Sequence, residues 1–297
     1  MLHATERVIP DAATSATQGR IRWEPRKSLW TLAHMTLGIA GVALYPHWDA
    51  AAVFVVLTAI TICTGHSVGM HRLLIHRSFA APRWLEVLLV WLGTLVGMAG
   101  PMGMIRAHDM RDWHQRQAVC PPHPSHAAGF WRDIWWQMHC HFPLTHPPRF
   151  EIEAEVAGSR IYRWMEATWM LQQLPVAVLL WVFGGWAWVL WGISLQIWVS
   201  LTGHWLIGHY AHHRGHQGRR IAGLPVQGYN LPGLGLVTFG ENWHANHHAF
   251  PHSARLGVER GQTDPGFWLI KALEALGLAR DIQLPGSQPP RAGLTRV

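Results

Sequence analysis

Charge is scarce in this sequence. Only 14% of its 297 residues are Asp, Glu, Lys or Arg, against the roughly 25% usual for soluble domains. With 49% hydrophobic residues, 19 Trp and a mean hydropathy of +0.06, that scarcity excludes a disordered chain and argues against an ordinary soluble enzyme. Cysteine is scarcer still. Cys63, Cys120 and Cys140 are too few and too scattered for a disulfide framework or a thiolate zinc site. Any metal bound by this chain is bound by imidazole and carboxylate. Lysine and arginine form no run, so the formal net charge of +7 does not speak for nucleic acid and reads as basic loops on one side of a membrane.

What the sequence does have is apolar blocks and 22 His. Between residues 28 and 71 the only formal charge is Asp49, and the apolar runs Trp30–Tyr45 and Ala50–Gly65 are split by Pro46-His47-Trp48-Asp49. Residues 167–213 carry no formal charge, and Leu174–Phe183 and Trp186–Ile207 are split by Gly184-Gly185. Each block reads as two helices joined by a tight turn, a transmembrane hairpin. Arg22, Arg26, Lys27, Arg72, Arg77, Arg163, Arg214, Arg219 and Arg220 crowd the open ends of these hairpins, and the turns carry no Lys or Arg. The positive-inside rule therefore puts the N-terminal segment (1–29), the middle segment and the C-terminus in the cytoplasm. The N-terminal segment lacks the apolar core and cleavage site of a signal peptide. Residues 30–284 read as one membrane domain and 285–297 as a disordered tail.

The histidines gather at span ends. Gly240-Glu-Asn-Trp-His-Ala-Asn-His-His-Ala-Phe-Pro251 places His244, His247 and His248 at i, i+3 and i+4, one face of a helix, where their rings can converge on a metal. His71 and His76 flank Arg-Leu-Leu-Ile at the end of the first hairpin. A spacing of five turns about 140° on an ideal α-helix, so this pair needs a helix end or a bend to chelate together. His108-Asp-Met-Arg-Asp112 follows the apolar run Val87–Ile105, and His204 precedes His209, His212 and His213 at the end of the second hairpin. Ligands to one centre lie within a few ångströms of it. If Val87–Ile105 crossed the membrane, His71 and His76 would be separated from His108 by the roughly 30 Å hydrocarbon layer. That run is therefore expected in the membrane plane, re-entrant, or wedged against the hairpins.

These motifs resemble the membrane fatty-acid desaturases. His71-Arg-Leu-Leu-Ile-His76-Arg-Ser-Phe is similar to the family's first histidine box, and Gly240–Pro251 to its third, G-E-x-x-H-x-x-H-H-x-F-P. Ser200-Leu-Thr-Gly-His204 is similar to the segment that closes its last transmembrane helix, and Asp264–Ala279 to the helix after the third box in acyl-CoA-type desaturases. The resemblance runs from about residue 30 to 283 in matching order. It implies an all-α integral membrane protein of four spans in two hairpins, with an in-plane helix and a cytoplasmic helical cap carrying the boxes. It also implies a non-haem centre of two iron ions that uses O2 to desaturate a fatty acyl chain, carried on lipid, coenzyme A or a carrier.

One departure matters. The family's second box is H-x-x-H-H, and here it reads His108-Asp109-Met110-Arg111-Asp112. A guanidinium has no lone pair to give a metal. Asp112, one helical turn from His108, offers a carboxylate, and His209-Tyr-Ala-His212-His213 is itself an H-x-x-H-H outside the expected position. Carried over residue by residue, the expected metal ligands are His71, His76, His108, Asp112, His204, His244, His247 and His248, with His209, His212 and His213 as the alternative that completes the site. Asp109, Asp133 and Glu241 are candidates to orient the rings. Gly233-Leu-Gly235 lacks the third glycine of a nucleotide fingerprint and no H-P-G-G haem motif of a fused cytochrome b5 is present. The two electrons each turnover needs are thus expected from a separate ferredoxin or cytochrome b5 with its reductase. Two rival readings remain: a lipid hydroxylase on the same scaffold, and a membrane metal-binding or transport protein, whose ligands usually sit near the bilayer midplane.

Overall fold

Residues 6–287 and 291–297 are described by the structure, a computed structural model. Its regular secondary structure is almost wholly helical. Helix α1 (Pro25–Leu44) starts with proline at its first position, where a missing N–H costs nothing. A short connection leads into α2 (Trp48–Ala59), which continues without a break as a π-helical stretch, Ile60–Ile75. The chain then forms α3 (Arg83–Thr94), α4 (Pro101–Gln115), α5 (Phe130–His139), α6 (Ala154–Ala157), α7 (Arg160–Ala167), α8 (Gln173–Val189), a short π-helical stretch Leu190–Leu195, α9 (Gln196–His213), α10 (His244–Ala249) and α11 (Pro265–Ala275).

Two helical segments, Trp48–Ile75 and Gln173–His213, are long and apolar enough to cross a membrane, and only 28% and 22% of their most apolar windows are buried. A core helix of a soluble protein would be mostly buried. These instead expose Val55, Val56, Leu174, Val178, Leu179, Trp181, Val182 and Phe183, an apolar surface suited to lipid. The 41-residue segment is not straight. Gly185 has φ 62° and ψ −156°, a conformation that reverses the chain where the sequence places a turn. A Cβ on Gly192 would lie 2.8 Å from Leu180 Cδ1. Residues twelve apart on a straight helix would be about 18 Å apart, so the two arms fold back on each other. At the turn end, Trp188 Nε1 donates to Asp49 Oδ2 at 2.8 Å and Trp191 Nε1 donates to the carbonyl of Tyr45 at 3.0 Å. Both hairpin turns thus lie together, and the histidines lie at the other end of the helices.

The π stretch is the hub of that other end. Met70, Leu74 and Ile75 pack with Val90, Met104, Ile105, Tyr162 and Met165 on one side. Val68 and Leu73 pack with Phe79, Leu89 and Ile270 of α11 on the other. Helix α3 comes so close that a Cβ on Gly69 would lie 2.4 Å from the Leu89 carbonyl oxygen. The run Val87–Ile105 is therefore no single span: it is broken between α3 and α4 at residues 95–100, with Gly97 at φ 79°, and its first half is wedged against the first hairpin. Among the described residues three two-stranded ribbons join the helices, pairing Val8–Ile9 with Arg149–Phe150, Arg22–Trp23 with Cys140–His141, and Arg219–Ile221 with Leu294–Arg296. The last ribbon corrects the expectation of a disordered tail over 285–297. Leu294–Arg296 finds backbone partners on an open strand, which composition does not reveal, while residues 288–290 lie outside the described residues.

A candidate metal centre

Two histidine groups stand side by side at this end. In the first, the ring nitrogens of His71, His76, His108 and His247, all buried, lie within 4.8 Å of one another. The π winding makes this possible. The backbone N–H of His76 donates to the His71 carbonyl at 3.0 Å, an i→i+5 bond, and such winding lays residues five apart nearly above one another. The His71 and His76 ring centroids are 4.8 Å apart. The α-helical expectation that the pair needs an end or bend is thus replaced by a change of helix type. His66 lies on the same stripe five residues earlier, its ring stacked on His71 at 6.4 Å. The repeated spacing of five was the signal in the sequence that could have found it.

The second group is His212, His244 and His248, again within 4.8 Å. His244 Nε2 lies 3.0 Å from His212 Nε2 and 3.0 Å from His248 Nε2. The three histidines of α10 are therefore shared out rather than pooled: His244 and His248, one turn apart, face one group, and His247 faces the other, 5.7 Å from His244 between ring centroids. Of the expected ligands, His71, His76, His108, His244, His247 and His248 are brought into these groups. His204 is not; its ring packs edge-on against His66 at 4.4 Å. Asp112 is in neither group, although it is nearly enclosed. Burial alone would raise its carboxyl, but the neighbouring imidazoles of His108, His248 and His247 and the Arg111 guanidinium outweigh it and hold the carboxyl well below the usual carboxylate range. Arg111 Nε, 3.8 Å from Asp112 Oδ1, has no hydrogen-bond partner among the described residues.

Carboxylates stand behind the first group. Glu241 Oε2 lies 2.7 Å from His71 Nδ1, and its other oxygen accepts from Ser67 Oγ at 2.6 Å. Asp109 Oδ1 lies 2.9 Å from His108 Nδ1, and its second oxygen accepts from Arg7 Nη1 at 2.9 Å. Arg7 also binds Glu153 and the Ile75 carbonyl, so the N-terminal segment is tied into the centre. Burial alone would raise the Asp109 carboxyl, and the His108 hydrogen bond and the Arg7 charge outweigh it and lower it. The Asp109 carboxylate hydrogen-bonded to His108 Nδ1 fixes that ring's tautomer and turns its other nitrogen's lone pair toward the group. Arg72, fully buried, binds Asp264 Oδ1 at 2.8 Å and the Ala254 and Phe239 carbonyls. Asp264 in turn caps α11 by accepting from the Phe267 N–H at 2.9 Å. One guanidinium thereby holds the end of the first hairpin to the segments on either side of α10.

Asp133, expected as an orienting acid, serves a different pair. Its Oδ2 accepts from His126 Nδ1 at 3.0 Å, Trp205 Nε1 at 2.9 Å and His209 Nδ1 at 2.8 Å. Those hydrogen bonds account fully for this third cluster, which pins α5 to α9. The His126 ring lies parallel to His212 at 5.8 Å, and a cavity of about 330 Å³ lined by His126, His212, Arg220, Gln227 and Tyr229 adjoins them.

The first two groups fit metal ions. Burial, reinforced by neighbouring imidazoles, keeps His76, His244 and His247 well below the ordinary histidine value, and pushes His248 down to about 3. Neutral rings are the form that ligates. A single N–H on His244 Nε2 cannot serve two facing nitrogens at once, and His247 Nδ1 is buried with no hydrogen-bond partner among the described residues. A cation satisfies both conditions. Imidazole-rich sites suit iron, zinc or copper and not magnesium or calcium.

Comparison with known proteins agrees with this geometry. The family model for fatty acid desaturases matches residues 46–260. The chain is 33% identical over 238 residues to an sn-1 stearoyl-lipid 9-desaturase of Anabaena variabilis, covering 80% of this chain and 85% of that protein. It is 31% identical to an sn-1 stearoyl-lipid 9-desaturase of Synechocystis, covering 86% and 79%. It is 32% identical to an acyl-CoA 5-desaturase of Anemone leveillei, covering 80% and 73%. With its first and third histidine boxes brought together in two adjacent groups and the family model matched across both, the chain belongs to the fatty acid desaturase family of oxidoreductases.

Proposed function

We propose that this protein desaturates a fatty acyl chain at a centre of two non-haem iron ions, with O2 as co-substrate. The observation that carries the reading is the pair of adjacent histidine groups, joined through α10. His71, His76, His108 and His247 would hold one iron. His244 and His248 supply imidazoles toward the second, with Asp112 set between the groups. The iron would supply the oxidising power to take hydrogen from unactivated methylenes. Glu241 and Asp109 orient His71 and His108, and Arg7 keeps Asp109 ionised. Removing two hydrogens while O2 becomes two waters requires two more electrons and two protons. A ferredoxin or cytochrome b5 type donor supplies those electrons.

We further propose that α1, Trp48–Ile75 and the two arms of Gln173–His213 are four membrane spans, with both termini and the centre on the cytoplasmic side. An acyl chain can then reach the centre from the bilayer while its polar head stays in water. Relatives acting on stearoyl-lipid and on acyl-CoA leave the carrier to experiment. Lipid profiling of cells producing the protein tests the activity. New cis-unsaturated acyl chains that disappear in His71→Ala are the expected result, and a hydroxylated product or an unchanged profile with iron in place would overturn it.

A further inference from the structure

The helix that carries the third box is too short to finish itself. Helix α10 has six residues, and the last four carbonyls of an α-helix have no partner within it. No glycine follows in a left-handed turn to close it. Phe250 sits at φ −134°, and its N–H returns to the Asn246 carbonyl. The His248 carbonyl is left over, and a guanidinium from the far end of the chain meets it: Arg291 Nη1 donates to that carbonyl. The C-terminal ribbon holds Arg291 in place. Leu294–Arg296 pairs with Arg219–Ile221, the Ala222 N–H donates to the Gly293 carbonyl at 2.8 Å, and the Val297 N–H donates to the Gly218 carbonyl at 3.2 Å. The partner strand is tied to α10 in turn, because Arg219 Nη1 donates to Asn246 Oδ1 at 3.3 Å.

We propose that Arg291 is a positioning residue for His248, closing the C-terminal end of α10 so that the His248 ring keeps its aim at the second group. This rests on the two-metal reading above and deepens it. The other end of the chain does the same for the first box. Arg7 Nη2 donates to the Ile75 carbonyl at 3.0 Å, where the π stretch ends beside His76. Each chain end thus supplies one arginine to the last carbonyls of a helix that bears box histidines. The helix dipole favours a cation at that position, in addition to the hydrogen bond itself. A positive charge beside a cation site nevertheless repels its occupant. Were Arg291 only a nearby charge, removing it would tighten metal binding. As the group that fixes His248, its removal should weaken binding by about 10–100-fold, the usual cost of losing a contact that supports a ligand.

The test is iron per chain in protein purified in detergent from iron-replete cells and dialysed against increasing chelator, independent of any activity. The wild type should hold two ions. Arg291→Ala should give up one of them at about 10–100-fold less chelator, and Arg291→Lys, which still offers a cationic donor, should recover part of the difference. Arg296→Ala removes the same charge from an exposed position on the same ribbon and should behave as the wild type. The ion lost should be that of the second group, so His244→Ala and His244→Ala/Arg291→Ala should retain the same single ion. Arg291→Ala that binds both ions as tightly as the wild type, or more tightly, overturns the proposal. So does a loss matched by Arg296→Ala, or a double variant that holds no ion. A wild type with fewer than two ions would defeat the two-metal reading instead. Hydrogen exchange over residues 244–250 of chelator-treated protein then decides on Arg291 alone: faster exchange in Arg291→Ala than in the wild type supports its role, and equal exchange overturns it.

Discussion

The His76 backbone N–H donates to the His71 carbonyl five residues back, at 3.0 Å, and the two imidazoles face one site with centroids 4.8 Å apart. An α-helix would send them about 140° apart. The π winding over Ile60–Ile75 is thus what turns a spacing of five into a chelating pair, and it sets His66 on the same stripe. π-helical insertions are costly and recur at functional sites.

The carboxylates behind His71 and His108 should matter without being ligands. Glu241→Gln and Asp109→Asn each keep the side-chain shape and lose the charge that stands beside the ring. Each should cost roughly 10–100-fold in metal affinity or turnover. Arg7→Ala, which touches no histidine, should follow Asp109→Asn because it removes that carboxylate's cation. Metal titration of the three variants beside the wild type checks this, and full affinity in Arg7→Ala would break the proposed chain from Arg7 through Asp109 to His108.

Arg72 has a side chain 1% exposed and pairs with Asp264 at 2.8 Å. Arg72→Met leaves that carboxylate buried and uncompensated. The expected loss is about 3–5 kcal/mol, the usual result of removing one partner of a buried pair. Denaturant unfolding in micelles reads it out. Arg72→Lys should recover only part, since a point charge cannot make the guanidinium's separate bonds to Asp264, Ala254 and Phe239.

Gly185 offers a clean test of the hairpin. A Cβ there would meet nothing within 4 Å, so Gly185→Ala introduces backbone strain alone. At φ 62° and ψ −156° the expected cost is about 1–3 kcal/mol. A variant as stable as the wild type would mean the arms are joined by some other turn.

Much of this fold is legible in the sequence, because membrane physics writes in long apolar runs. The turns at 46–49 and 184–185 and the clustering of histidines at one end of the hairpins follow from charge and hydropathy alone. What escaped is what depends on winding and on pairing at a distance. The π stretch hides the stripe of His66, His71 and His76, because an α-helical ruler misplaces every fifth residue. Sequence spacing pools His244, His247 and His248 on one face, whereas the packing of His71 and His212 from opposite sides divides them. His126, from a loop with no histidine motif, is anchored by Asp133 and reaches the centre through the His212 ring, parallel to it at 5.8 Å. The ordered tail at Leu294–Arg296 likewise depends on a strand at Arg219–Ile221 that no local pattern announces.

Acid should destabilise the metal-free protein. Burial lowers the folded-state values of His76, His244, His247 and His248, while in the unfolded chain these rings titrate near about 6.5. Below that pH the unfolded state binds protons that the folded state refuses. Stability is therefore complete above about 6.5 and declines as pH falls toward the folded values. Melting temperatures of chelator-treated protein should hold steady from pH 8 to 7 and drop toward pH 5. His248→Gln should flatten part of that slope, and a profile without slope would show these rings already protonated or exposed.

Asp112 is the residue on which the divergent second box turns. It lies one helical turn from His108, its nearest cation is Arg111 at 3.8 Å, and no hydrogen bond engages its carboxylate among the described residues. The groups that keep it ionised stand on several sides: the Arg111 guanidinium, the His108 and His247 imidazoles of one group and the His248 imidazole of the other. A largely enclosed carboxylate kept charged and without a hydrogen bond is available to a cation. Asp112→Ala and Asp112→Asn should both lower metal content or turnover by at least about tenfold, and Asp112→Glu, which keeps the charge on a longer arm, should retain more than either. Measured iron per chain separates ligation from orientation. Loss of one iron makes the carboxylate a ligand, whereas full iron with reduced turnover makes it a group that positions His108 or His248. An Asp112→Ala protein with full iron and full activity would remove Asp112 from the centre.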